Sequence, residues 1–81
     1  MLLLRASQVK HNIFIMINIK IKELRQEKEL TQSELAKEIG VNRRTITGYE
    51  AGRRQPDIDT IKKLCKFFNV TSDYLLGIEE F

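Results

Sequence analysis

One glycine restricts the fold of this chain more than any other residue. Gly40 sits inside the segment 31–52, TQSELAKEIGVNRRTITGYEAG, and both sides of it carry a helix signal. Before it, Thr31 is placed to N-cap a helix, and Glu34 three residues on completes a capping box, in which each residue satisfies a backbone donor near the other. Leu35, Ala36 and Ile39 then share one helical face. After Gly40, Asn42 is placed to cap a second helix whose apolar positions are Ile46 and Tyr49. Two helices separated by two residues require a sharp reversal. Glycine enters the left-handed conformation that such a turn needs without steric cost. Val41 fills the space under the turn, and the small Ala36 lets the two backbones approach where they cross.

The flanking sequence extends this helical reading. Asn18 is placed to cap a first helix in which Ile21 and Leu24, with Ile17 as a further candidate, share a face; it should end near residues 28–30. After Gly52, Arg53–Arg54–Gln55–Pro56 reads as a loop, since proline disfavours helix for the residue before it. Asp57 caps a fourth helix with Ile58, Ile61, Leu64, Cys65 and Phe68 on one side and Lys62, Lys63 and Lys66 on the other. Asn69 and Val70 break it. Thr71 caps a last short helix over 72–76, closed by Gly77. The expected architecture is all-α and five-helical, with a domain over residues 18–77, an N-terminal extension over 1–17 and a short tail over 78–81. The extension is apolar and rich in isoleucine, without a clear helical stripe. A strand pairing with a symmetry mate, an extension of the first helix and a poorly ordered arm all fit it, and Met16 is an alternative translation start.

Composition narrows function mainly by exclusion. Eighty-one residues are expected to form one domain, with no second one for sensing a ligand. Cys65 is the sole cysteine and is expected to act as a small buried hydrophobe, so no disulfide framework is expected. His11, the sole histidine, has no neighbouring Cys, His or acidic cluster, which argues against a metal site. No nucleophile–base pair and no glycine-rich phosphate loop suggests an enzyme or a bound cofactor. The run 13–17 is too short to span a bilayer, and the amino terminus does not resemble a signal peptide, so a cytoplasmic location is expected. Net charge is only +3, but its distribution is uneven. Residues 43–54 hold Arg43, Arg44, Arg53 and Arg54 against Glu50 alone. Positive charge is concentrated on and just after the second helix of the glycine-turn pair, as a phosphate-binding footprint requires.

That pair is a helix-turn-helix. The region from about residue 18 to 77 resembles the lambda-repressor-like, xenobiotic-response-element-type DNA-binding domain of phage repressors and Cro proteins. The carrying residues are Leu24–Arg25, Leu30–Thr31–Gln32–x–x–Leu35–Ala36, Gly40–Val41, Ile46–x–x–Tyr49–Glu50–x–Gly52, Pro56 and Tyr74–Leu75–Leu76–Gly77. The resemblance implies a DNA-binding transcriptional regulator, expected to be a repressor that binds double-stranded DNA as a homodimer on a pseudo-palindromic operator. It also allows an antitoxin-type protein that binds a toxin partner and autoregulates its operon. It implies that Gln32 binds a DNA phosphate at the start of its helix, that Asn42 lies beside the backbone, and that Arg43 and Arg44 reach base edges. Thr45 and Thr47 are further candidates for base contact, and Arg53 and Arg54 for phosphate. Arg25 and Glu50 match a structural ion pair of related repressors. Gly48 departs from the pattern, because many relatives carry a long polar side chain there. Either readout falls to Arg43, Arg44 and Thr47, the preferred expectation, or the missing side chain lets the helix sit closer to the DNA.

Overall fold

The structure, a computed structural model, describes residues 17–78. Five helices and no strand occur among the described residues: α1 over residues 17–27, α2 over Gln32–Ile39, α3 over Arg43–Glu50, α4 over Ile58–Phe68 and α5 over Ser72–Leu75. The all-α, five-helix expectation is met. The alternatives for residues 1–16 lie outside the described residues.

Local chemistry sets the boundaries of these helices. Thr31 and Glu34 form the reciprocal box, with Glu34 N–H donating to Thr31 Oγ1 (3.0 Å) and Thr31 N–H donating to Glu34 Oε1 (2.8 Å). Asn42, Asp57 and Thr71 cap α3, α4 and α5 in the same sense, each side-chain oxygen accepting from the backbone N–H three residues on. At the other end of α2, Gly40 adopts φ 73°, ψ 33°. Val41 N–H then reaches back to the Ala36 carbonyl at 2.9 Å, satisfying an acceptor that the helix end would otherwise leave open.

Asn18 does not cap α1, as its residue type suggested. It lies inside the helix, which already includes Ile17. The reason is burial: Ile17 is 2% exposed and stacks with Ile21 and Leu24 at four- and three-residue intervals on the core face. Ile17 therefore contributes to the core. Asn18 instead packs against the turn after α3, where its Nδ2 lies 3.1 Å from the point a Gly52 Cβ would occupy.

The core draws on every helix. Ile17, Ile21 and Leu24 of α1 meet Leu35, Ala36 and Ile39 of α2, Ile46 and Tyr49 of α3, Leu64 and Phe68 of α4, and Leu75 of α5. Ile21, Leu35, Ile46, Leu64 and Leu75 are fully enclosed, each stabilising the fold by about 1.5–3 kcal/mol relative to exposure. Ile58 is an exception to the α4 reading. As the first residue of the helix, at the edge of its apolar stripe, it remains 71% exposed, and Thr60 is buried instead. No helix among the described residues is long and apolar enough to cross a membrane.

Candidate nucleic-acid interface

The inner face of α3 is pinned by Ile46 and Tyr49, which are 0% and 5% exposed. Helical geometry therefore turns Arg43, Arg44 and Thr47 to the opposite side. Arg43 and Arg44 are exposed, and neither forms an ion pair or side-chain hydrogen bond among the described residues. Arg53 is exposed in the same way on the turn after the helix. Arg43 and Arg44 also stand at the first turn of α3, beside its positive dipole end. Among the described residues these cations have no partner, and the surroundings suit an anion or a row of hydrogen-bond acceptors.

A polar network behind α3 fixes its position against the other two helices. Glu50 is reached by Arg25 from α1 through Nε (2.6 Å to Oε2) and Nη2 (3.0 Å to Oε1). Arg25 Nη1 also donates to the Leu30 carbonyl at 2.7 Å. The Arg25 and Glu50 side chains are 13% and 5% exposed, so a paired fork–carboxylate contact joins the start and the third helix of the domain. The Glu50 carboxylate raises the Arg25 pKa further above its ordinary value, with burial opposing in smaller part.

Gln32 extends the network to α2. Its Nε2 donates to Glu50 Oε1 at 3.1 Å, and its Oε1 accepts from the Thr47 hydroxyl at 2.9 Å. One amide N–H of Gln32 is left without an acceptor among the described residues, at the amino terminus of α2. The Thr47 hydroxyl also lies 3.1 Å from the Arg43 carbonyl. It has a single proton and two intramolecular acceptors, so the hydroxyl is turned toward the protein.

Thr45 occupies a less open position than the sequence suggested, whereas Asn42 is exposed. Thr45 is 8% exposed, and its hydroxyl donates to Asn42 Oδ1 at 3.0 Å. The same oxygen of Asn42 accepts from Thr45 N–H at 2.8 Å. Asn42 thus uses its side-chain oxygen on the helix cap, and Thr45 is enclosed behind it. The Ser/Thr/Asn preference at helix starts is a signal for this arrangement, since a capping oxygen is already committed to the backbone.

Gly48 differs most from expectation. It is buried, and the neighbour that covers it is not a core side chain but the stem of Arg54. A Cβ at Gly48 would stand 2.8 Å from Arg54 Cδ and 3.0 Å from Cγ. The Gly48 carbonyl also accepts from both Arg53 N–H (2.9 Å) and Arg54 N–H (3.2 Å). Arg54 Nη1 lies 3.4 Å from Thr45 Oγ1. By residue type Gly48 is a position without a reading side chain; in the structure it makes room for a side chain from the following loop. Nothing in the periodicity of α3 signals a partner six residues away in an irregular segment.

Comparison with known proteins agrees with this geometry. A family profile described as Helix-turn-helix matches residues 21–75. The cryptic phage CTXphi transcriptional repressor RstR of Vibrio cholerae is 44% identical over 65 residues, covering 80% of this chain and 59% of RstR. The transcriptional activator BcrR of Enterococcus faecalis is 43% identical over 63 residues, covering 78% of this chain and 31% of BcrR. The chain therefore spans less than two thirds of the length of these curated relatives. The crystal structure of the restriction-modification controller protein C.AhdI from Aeromonas hydrophila superposes with a TM-score of 0.70 at 29% identity, covering 76% of this chain and 94% of that one. With the profile matched from the middle of α1 to the end of α5, the chain belongs to the helix-turn-helix family.

Proposed function

We propose that this chain is a sequence-specific DNA-binding transcriptional regulator that inserts α3 into the major groove. The observation that carries the reading is the pair Arg43 and Arg44, exposed and unpaired among the described residues at the first turn of a helix whose opposite face is locked into the core. An arginine fork suits the O6 and N7 acceptors of guanine, a contact worth ~1–3 kcal/mol of discrimination. Thr47 lies on the same face. Gln32, through its free amide N–H and the α2 amino terminus, grips a phosphate, as do Asn42 and Arg53 at either end of α3. Thr45 supports the interface from inside rather than touching it. Arg25 and Glu50 hold α3 at a fixed angle.

Few side chains are available for reading, so one copy distinguishes only a short site. Pairing two copies about a two-fold axis doubles the site, with half-sites about 34 Å apart on a pseudo-palindromic operator. Repression is the simpler mode of action: occupancy of a promoter suffices, whereas activation needs an added surface for polymerase. RstR is a repressor and BcrR an activator, so a promoter–reporter assay is needed to fix the sign.

The decisive experiment is selection of bound duplexes from a random library. It should return a two-fold symmetric site, with affinity falling steeply as salt rises because phosphate contacts release counterions. Arg43→Ala should then relax preference at one position per half-site. If it weakened all duplexes equally, the base-reading role of Arg43 would be wrong.

A further inference from the structure

We infer that Arg54 is a fourth side chain of the α3 reading face, contacting a base edge in the groove, and that Gly48 is the residue that positions it there. The inference rests on the proposed DNA-binding function and revises the simpler expectation that Arg54 only grips phosphate.

Three observations converge on it. Backbone comes first. Both Arg53 N–H and Arg54 N–H close onto the Gly48 carbonyl, so the loop begins its course on α3 itself. The second is the path of the side chain. Arg54 Cβ, Cγ and Cδ lie 3.5, 3.0 and 2.8 Å from the point where a Gly48 Cβ would stand, so the whole aliphatic stem runs along the helix through the space left by the glycine. The third is the destination. Arg54 Nη1 comes to 3.4 Å from Thr45 Oγ1, so the guanidinium of this exposed residue ends beside the first turn of α3, on its Thr45 flank.

Position on the helix decides which acceptor this arginine meets. One turn of α3 places Gly48 next to Arg44, on the flank away from Gln32 and Thr47. Arg54 thus widens the exposed face of α3 on the side that Thr47 does not cover. A guanidinium carries five N–H donors, and the Thr45 hydroxyl engages one of them. The others have no acceptor among the described residues, and the first turn of a recognition helix is the part that approaches base edges. Arg53, one residue earlier and without a seat of this kind, keeps the phosphate role. The long polar side chain that Gly48 lacks is therefore supplied from the loop.

The experiment compares the wild-type chain with Arg54→Ala, Arg54→Lys, Gly48→Ala and the Gly48→Ala/Arg54→Ala double variant. Each is run through duplex selection, then titrated against the selected site and its single-base variants. Arg54→Ala should lose preference at one base pair per half-site, with a fall in affinity of about 5- to 150-fold for a bidentate contact. Arg54→Lys should keep much of the affinity and lose the same preference, because an ammonium lacks the planar fork. Gly48→Ala should melt no lower than wild type, yet relax the same base pair, since its methyl lifts the Arg54 stem. The double variant should bind no worse than Arg54→Ala alone. An unchanged selected sequence with uniformly weaker binding in Arg54→Ala would overturn the inference and return Arg54 to phosphate. So would additive losses from Gly48→Ala and Arg54→Ala. A wild-type chain that selects no sequence would instead refute the DNA-binding reading on which the inference stands.

Discussion

Removing either partner of the Arg25–Glu50 pair alone should cost more than removing both. Glu50→Ala leaves the Arg25 guanidinium, 13% exposed, with only the Leu30 carbonyl as acceptor. Arg25→Ala leaves the Glu50 carboxylate, 5% exposed, with only the Gln32 amide as donor. A fully buried pair broken on one side costs about 3–5 kcal/mol. The residual exposure of Arg25 places each single variant near the lower end, about 3 kcal/mol. The double variant removes both charges and leaves none stranded, so it should lose less than either single variant, about 1–2 kcal/mol, and the two single losses should fall far from adding. In a domain of this size 3 kcal/mol corresponds to a fall in Tm of about 12–24 °C. Urea titrations of the four proteins, followed by far-UV circular dichroism at one ionic strength, measure the coupling directly. Additive losses, with a coupling below about 0.5 kcal/mol, would show that the pair behaves as an exposed ion pair and that α3 is held mainly by Ile46 and Tyr49.

Three further outcomes follow from other parts of the fold. Gly40→Ala meets no atom within 4 Å, yet must hold φ at 73°, so it should lose about 1–2 kcal/mol in urea titration; Gly40→Asn should lose less. Asp57 has its pKa lowered by the Thr60 backbone hydrogen bond first, then by the Thr60 side chain and the nearby Lys63 charge, with desolvation opposing. Its stabilising effect is therefore complete above the ordinary carboxylate range and is lost as pH falls through the lowered value. Thermal melts at a series of pH values should show the advantage of wild type over Asp57→Asn shrinking only in acid, below about pH 4. Burial pushes the Cys65 thiol pKa up, so iodoacetamide should alkylate it several-fold more slowly in the native chain than in urea at the same pH.

The parts of this fold that were legible in the sequence are those fixed by neighbours close along the chain. The Thr31–Glu34 box, the Asn42, Asp57 and Thr71 caps and the left-handed Gly40 each depend on residues within a few positions, and each was read at its place. Asn18 shows the limit of that logic. Its side chain suits a cap, but burial of Ile17 carries the helix past it, and the buried Asn18 Oδ1 has no partner among the described residues. The candidate interface divides in the same way. The exposure of Arg43 and Arg44 follows from helical period once Ile46 and Tyr49 are assigned inward. The inward turn of Thr45 and the seat of Arg54 on Gly48 depend on the path of a loop, which no periodicity encodes. Gln32 was read as a DNA-facing residue and Glu50 as the partner of Arg25, and only the three-dimensional arrangement joins them through one carboxylate oxygen.

The junction of Gln32, Glu50 and Thr47 has a consequence for how the binding preference of such a protein can change over generations. Arg43 and Arg44 touch no other side chain by hydrogen bond or ion pair among the described residues, so under the proposed base-reading role replacing them would alter preference and leave the frame untouched. Thr47 is tied to Gln32, and through it to the carboxylate that holds α1. A new residue at position 47 must be accompanied by an adjustment in α2. Drift in sequence preference should therefore run first through positions 43 and 44, while position 47 changes only in step with position 32. A screen for altered preference should also recover Glu50 variants, although Glu50 lies behind α3, the helix proposed to read the bases.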